Sequence, residues 1–392
     1  MSSTALTPPA SAAQTGSSSL HAPEGAQPPL GVLLLGYGLA GRVFHSPLIR
    51  ATSGLSLRAI VTGDPTRRSQ ALADSPGVRL HATADEAWAE IDQMPEADIQ
   101  LAVIAGANRT HYSQALAAIE RGLNVVIDKP LAGDAAQAQL VADAAAAAGV
   151  QVHPFQNRRW DSDYLTLRAI LASGELGFAH RLESRIERLR MLPKGNWRES
   201  ADPADLGGVL LDFGAHLVDQ AIELLGPVVS ITAFARSVRD PLAADDDMQM
   251  VMVHDGGAIS TLVGSQAAAF GEPRFVLLGT TGAVRIAESD TQEAALKDGI
   301  DPNSPNWGVE PALSAACLRT ALDDGTITDT EVALAVGRWN SYYPAVVQAV
   351  TEGAPAPVAV EHAVANLRVL DAARQSVATG DSVRLNPPAG HA

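Results

Sequence analysis

The run LGVLLLGYGLAG, residues 30–41, constrains this chain more than any other stretch. Val32 to Leu35 form an apolar strand, and Gly36, Gly38 and Gly41 come directly after it with G-x-G-x-x-G spacing. The chain then runs on through RVFHSPLI, without further glycine, into a helix. That order suits a bound pyrophosphate. The glycines permit a tight turn, a close backbone approach and tight helix packing, while the helix start favours negative charge. The backbone of Gly36, Tyr37, Gly38, Leu39, Ala40 and Gly41 is therefore expected to hold a dinucleotide. The competing reading is a glycine-rich turn of another α/β protein, and the strand directly in front weighs against it.

The segments beyond residue 41 fit a doubly wound sheet. LRAIVT (57–62) and IQLAVIAG (99–106) read as strands. TRRSQALA (66–73), THYSQALAAIERG (110–122) and residues 134–148 read as helices. Alternating strands and helices imply a parallel sheet, whose ligands bind beyond the carboxyl ends of the strands. VVIDKPLAG, 125–133, ends at that edge. Val125, Val126 and Ile127 form the strand; Pro130 then keeps Lys129 out of helical geometry. Lys129 is thus expected to face the crevice, the plain alternative being an ordinary loop lysine. The second strand ends Val61-Thr62-Gly63 without the acid that usually selects NAD, and Asp64 before Pro65 reads as a turn residue. Arg67 and Arg68 come next, so NADP is favoured, with NAD still possible. Two solvated helix charges would look the same.

The whole chain narrows the classes. Its 392 residues suit two domains at roughly 100–200 residues each. A formal charge of −16 argues against nucleic acid as a partner. The single Cys317 cannot make an internal disulfide or a cysteine-rich zinc site, which fits a reducing, cytoplasmic setting. Residues 1–29, rich in Ser, Ala, Pro and Gly, read as a disordered tail rather than a signal peptide. No run is long and apolar enough for a membrane span.

In the second half, LGGVLLDFGAHLVDQAIELLG (206–226) reads as one helix ending at Gly226-Pro227. Asp212, His216 and Asp219 then share one face. A carboxylate one turn from a histidine can orient it and make it more basic, which suits proton transfer near neutral pH. A surface acid–histidine pair or a capped core histidine reads the same way. No metal is expected, because H-E-x-x-H is absent and no second ligand is spaced for zinc. RLESRIERLR (181–190), VVSITAFARSV (228–238), MQMVMVH (248–254), AISTLVGSQ (258–266) and PRFVLLG (273–279) alternate as strands of a largely antiparallel sheet. NRRWDSDYLTLRAIL (157–171) reads as a helix joining the halves. Its Arg158, Arg159 and Trp160 would either touch substrate hydroxyls or brace the interface. EHAVANLRVLDAARQSVATG (361–380) reads as an amphipathic helix.

The segments GYGLAGRVFHSPLI, NRTHYSQALAAIERGLNVVIDKPLA, NRRWDSDYLTLR and GGVLLDFGAHLVDQAIELLG together resemble the glucose-fructose oxidoreductase/inositol dehydrogenase/MocA family over residues 31–385. The GYGLAGRVFH start, NRRWD and GIDPNSPNWG resemble its NADP-dependent scyllo-inositol dehydrogenase branch. The resemblance implies an α/β chain. A Rossmann dinucleotide-binding domain (30–153) would precede an α+β domain with an open, mainly antiparallel sheet (154–385). It implies hydride transfer between nicotinamide and a cyclitol or sugar, and a homo-oligomer, dimer or tetramer. His216 would take the hydroxyl proton, Asp212 would orient it, and Lys129 would stabilise the developing alkoxide. With Lys129, Asp212 and His216, Arg158 and Trp160 would contact substrate. Thr62, Arg67, Asn108, His111, Asp128 and Lys129 would join the glycine loop around the cofactor. Three positions depart from the family pattern: Asp128 stands for Glu, Gly106-Ala107 for Thr-Pro, and Gln156 for His. The competing functions are a non-catalytic nucleotide-binding regulator and a redox-neutral hydrolase or epimerase with bound nicotinamide.

Overall fold

A computed structural model describes residues 28–93, 98–193, 195–322 and 324–386. The tail expected over 1–29 lies, up to residue 27, outside the described residues. The first sheet contains β1 (Leu30–Leu35), β2 (Leu55–Val61), β3 (Arg79–His81), β4 (Leu101–Ile104), β5 (Asn124–Asp128) and β6 (Val152–Phe155). All pairs are parallel, in the order β3-β2-β1-β4-β5-β6. Strand order reverses between β1 and β4, so a crevice opens there at the carboxyl edge. The central strands are apolar without alternation because helices cover both faces; Val32–Leu35, Leu101–Ile104 and Val125–Ile127 are all buried.

Local chemistry sets the helix ends. Asp64 caps Pro65–Asp74 by accepting from the Arg67 N–H at 2.8 Å, with Pro65 in the first turn. The turn-residue reading of Asp64 thus becomes an N-cap. Asp134 likewise caps Ala135–Ala148, and Gly149 ends it at φ +69°. The expected helix over 157–171 is interrupted. A tight turn, Asn157–Trp160, is separated from Ser162–Ser173 by extended Asp161, whose carboxylate accepts from Arg158 and the Trp339 indole.

The second sheet holds β7 (Ala179–Glu187), β8 (Val228–Arg236), β9 (Asp247–His254), β10 (Ile259–Ser265), β11 (Phe275–Gly279), β12 (Gly282–Ile286), β13 (Ala315–Ala321), β14 (Ile327–Ala333) and β15 (Val383–Arg384). Their order is β14-β13-β12-β11-β7-β10-β9-β8-β15, antiparallel except where β7 meets β10. Along β9, Met248, Met250 and Met252 are buried while Gln249, Val251 and Val253 are exposed. The buried side packs in one core with helices Gly214–Leu225 and Val360–Thr379. The chain also returns to the first sheet. Trp339, Tyr342 and Tyr343 join its core beside Phe155, and the Tyr342 hydroxyl donates to His153 O and Pro154 O, both at 3.0 Å. Among the described residues no helix is long and apolar enough to cross a membrane, and no group of three His, Cys, Asp or Glu side chains could hold a metal ion.

Candidate active site

The glycine turn after β1 divides its roles among three positions. Gly36 has φ +100°, and a Cβ there would sit 2.8 Å from Ala105 O. A Cβ on Gly41 would meet Gly36 O at 2.0 Å, so helix and turn touch backbone to backbone. A Cβ on Gly38 would meet nothing closer than Arg67 Nη1, at 4.0 Å, so this side of the turn is open. Tight turn, open cradle and close packing are what a dinucleotide pyrophosphate needs, and these residues fit it.

Other residues assigned to the cofactor behave differently. The Tyr37 hydroxyl donates to Asp74 at 3.0 Å, and Asn108 Nδ2 donates to Leu206 O at 2.9 Å. His111 Nδ1 bonds Pro130 O at 2.8 Å in a fully buried position, where burial lowers its pKa. These three side chains are each tied to another part of the protein, and the backbone of Tyr37 belongs to the turn. Thr62 is buried, and its carbonyl accepts from Arg68 Nη1 at 3.3 Å. Arg67 is exposed and makes no side-chain hydrogen bond or ion pair with the described residues.

Beyond the carboxyl edge lies a cavity of about 240 Å³ between the two sheets' domains, lined by Leu39, Ala40, Asp128, Lys129, Arg158, Asp212 and His216 among others. Lys129 enters it from the end of β5 through a cis Lys129–Pro130 peptide, its own N–H held by Asp128 Oδ1 at 2.9 Å. Its Nζ donates to Asp212 O at 2.8 Å and pairs with the Asp212 carboxylate. Burial would raise the Asp212 carboxyl, but Lys129, Arg198 and Arg188 outweigh it and hold the pKa at about 2.

This contact explains a departure from the single helix expected over 206–226. In a regular helix Asp212 O would accept from the His216 N–H. Here Lys129 takes that carbonyl, and the His216 N–H turns to Phe213 O at 3.1 Å. The helix accordingly runs as Val209–Asp212 and Gly214–Leu225. Its start is fixed by Asp245, whose carbonyl accepts from Val209 N at 2.9 Å and whose carboxylate accepts from Leu210 N at 2.7 Å. Gly208, at φ +89°, leaves room for that carboxylate, 2.0 Å from where a Cβ would stand.

The expected Asp212–His216 pairing is not formed. No hydrogen bond among the described residues joins them, because the carboxylate is drawn to Lys129 instead. His216 Nδ1 is buried without a partner among the described residues. Burial, then Lys129, Arg158 and Arg274, lower the His216 pKa well below its ordinary value, the reverse of the expected gain in basicity. Asp219 also leaves the group: both its oxygens accept from Arg159, at 2.8 and 2.7 Å, inside the core.

Arg158 lines the cavity but is bound to Asp161 at 3.1 Å and Glu293 at 2.8 Å. Trp160 does not line it; the ring packs edge-on against Tyr342 at 5.5 Å, so the bracing alternative describes it. Sequence reasoning missed Arg188, Arg198, Glu293 and Asp245. The alternating RLESRIERLR contained a signal for the first, since Arg188 and Arg190 fall on one side of an extended chain.

Comparison with known proteins agrees with this architecture. The profile of the oxidoreductase family with an NAD-binding Rossmann fold matches residues 30–156, and that of the GFO/IDH/MocA C-terminal domain matches 164–285. The uncharacterized oxidoreductase YdgJ of Escherichia coli K12 is 31% identical, over 86% of this chain and 93% of its own. The scyllo-inositol 2-dehydrogenase (NADP(+)) IolW of Bacillus subtilis is 28% identical, over 88% and 92%. The solved structure of yvaA from Bacillus subtilis matches with a TM-score of 0.84 at 26% identity, over 91% of this chain and 99% of that one. The chain is therefore an oxidoreductase of the Gfo/Idh/MocA family, with an NAD-binding Rossmann domain followed by a domain built on a mainly antiparallel sheet.

Proposed function

We propose that this enzyme interconverts a hydroxyl and a ketone on a cyclitol or sugar, in the manner of scyllo-inositol dehydrogenase, with NADP as its preferred partner. The observation that carries the reading is Lys129 bound to Asp212 in the same cavity as His216, at the carboxyl edge beside the glycine turn. A bound nicotinamide dinucleotide would supply the hydride acceptor, held by the backbone of Gly36–Gly41.

Each side chain then has a distinct task. An ammonium carries three donors, and Asp212 engages two of them, through O and Oδ1. The third remains for a substrate oxygen. A fixed cation beside a carbon–oxygen bond that is gaining negative charge lowers the barrier. Asp212, ionised throughout the physiological range, holds that cation in position. His216 stays neutral near pH 7, as a base must before it accepts the hydroxyl proton. The NADP preference draws on Arg67 beside the open face of Gly38, and on a β2 end without an acid. The relative IolW is itself named for NADP(+).

The test is absorbance in the reduced-nicotinamide band, with purified protein, NAD or NADP, and a panel of inositols, aldoses, uronates and sugar phosphates. Reduction of NADP with at least one polyol, faster than of NAD, is expected. Cofactor binding without any reduction across the panel would overturn the dehydrogenase reading.

A further inference from the structure

The cavity carries more positive charge than hydride transfer to a neutral polyol requires. Six cationic side chains line it against four carboxylates, in a chain whose net charge is −16. Three of the carboxylates are engaged by a hydrogen bond or ion pair, and the fourth, Glu199, accepts from Gly195 N through Oε2 while its Oε1 has no hydrogen-bond partner among the described residues. Asp128 accepts from Lys129 N, Asp212 binds Lys129, Glu293 binds Arg158 and Lys297, and Glu199 faces Arg239 at 3.7 Å. Arg188, Arg190 and Arg198 form no direct ion pair with a carboxylate among the described residues, although Arg188 and Arg198 lie near enough to Asp212 to lower its pKa.

Their placement is built rather than incidental. Beyond β7 the chain stays extended, with Arg188 N bonded to Ser265 O at 3.0 Å and Arg190 N to Gln266 O at 2.9 Å. That register sends both arginines toward the cavity and leaves Leu189 half exposed outside. The Arg188 guanidinium lies over Phe213, 4.7 Å from the ring centre, and its Nε is buried without a hydrogen-bond partner among the described residues. Arg198 is stacked on Trp197 at 4.3 Å. Burial, with Arg190 beside it, lowers the Arg188 pKa against the opposing pull of Glu293 and Asp212. A half-buried guanidinium without a direct ion pair has donors to spare, and its planar fork matches a carboxylate or phosphate.

We infer that Arg188, Arg190 and Arg198 bind an anionic group on the substrate, so that the enzyme acts on an acidic or phosphorylated sugar or cyclitol rather than a neutral one. This rests on the dehydrogenase reading for its chemistry but not for its binding. The anion belongs to the substrate because Arg188 packs on Phe213, next to Asp212, on the second-domain wall. The open glycine turn that suits the cofactor phosphates lies on the other domain.

The test uses full-length protein loaded with NADPH, whose fluorescence reports binding of D-glucuronate, D-glucose 6-phosphate, D-glucose and myo-inositol. At least one anionic ligand is expected to bind about tenfold or more tightly than its neutral counterpart. Preference for glucuronate would identify a carboxylate, and preference for the sugar phosphate a phosphate ester. Arg188→Gln should close the gap and Arg188→Lys should restore part of it; Arg198→Gln repeats the test should the first variant not fold. Equal binding of anionic and neutral ligands to the unmodified protein would overturn the inference. So would an Arg188→Gln protein that keeps the gap, or one that loses NADPH affinity instead. Turnover of the same ligands with oxidised NADP in place of NADPH separates the two claims: a binding gap without turnover sinks the dehydrogenase, and turnover without a gap sinks the anion site.

Discussion

Asp212 and Asp219 stand seven residues apart on one interrupted helix, and each meets a cation from another part of the chain. Asp219 meets Arg159 fork to fork at 2.7 and 2.8 Å, and Arg159 spends its remaining nitrogen on Glu223 at 2.9 Å and His362 at 3.1 Å. Every strong donor there is used, and the pair is sealed in the core. Asp212 meets a lysine that keeps one donor in reserve and faces a cavity. The difference teaches how to tell a structural pair from a working one. A saturated fork fixes the fold, whereas a point charge with an uncommitted donor can still act on something else.

Removing each pair should therefore fail in a different way. Lys129→Ala is expected to lower turnover by about a hundredfold to ten-thousandfold, with NADPH affinity changed little. Steady-state kinetics beside fluorescence titration would check this, and near-full turnover would remove Lys129 from the chemistry. Asp219→Ala should instead strip a buried guanidinium of its main partner and cost about 3 kcal/mol of stability. Denaturant melts would read that loss, while turnover per folded molecule should stay within a few-fold. A variant that melts normally yet loses turnover would erase the distinction between the two pairs.

The same contrast separates what the sequence makes visible from what it hides. The glycine cradle is contiguous, and its spacing alone assigns a turn, an open face and a close contact to Gly36, Gly38 and Gly41. The parallel sheet is legible in apolar runs that only two-sided burial explains. The strands β12 to β14 are harder to see, since β14 is almost wholly exposed and carries little apolar signal. Asp212 and His216 are visible as helical neighbours, but periodicity assumes a regular helix. It is broken by a lysine 83 positions earlier in the chain, which takes a backbone carbonyl. No local pattern encodes that, nor the selection of Asp219 by Arg159. Trp160 and His111 show the converse: polar or aromatic residues near a strand end are as readily spent on bracing a core.

Acidity tests the Asp212 assignment from the other side. Because burial and neighbouring cations lower the His216 pKa, its neutral form persists as pH falls past 6.5. The acid limb of kcat/KM for oxidation should therefore lie below pH 6.5. A limb at or above that value would mean that Asp212 supports His216 after all. Stability has a separate acid window. Burial holds His45 and His153 neutral, each with a pKa of about 4 against an ordinary 6.5. Their neutral forms favour the fold fully above pH 6.5, and that contribution drains away as pH falls from 6.5 toward 4. Calorimetric melting temperatures should fall across that interval; a flat profile there would contradict the buried, neutral histidines.

The smallest expected effect lies at the cofactor's far end, where nothing is sealed. Arg67 is exposed, its side chain has no partner among the described residues, and its Nη1 lies 4.0 Å from where a Cβ on Gly38 would stand. An exposed guanidinium facing a phosphate through solvent gains far less than Lys129 does inside the cavity, because water screens the attraction. Arg67→Ala should lower the preference for NADPH over NADH, read as a ratio of dissociation constants, by about threefold to tenfold. It should leave the melting temperature where it was, since Asp64 caps the helix through the backbone N–H of residue 67 rather than its side chain. High salt should shrink the unmodified protein's preference in the same direction. An unchanged ratio in the variant would make Arg67 a solvated helix charge and hand the 2′-phosphate to Arg68, whose Nη1 is only loosely tied to Thr62 O at 3.3 Å.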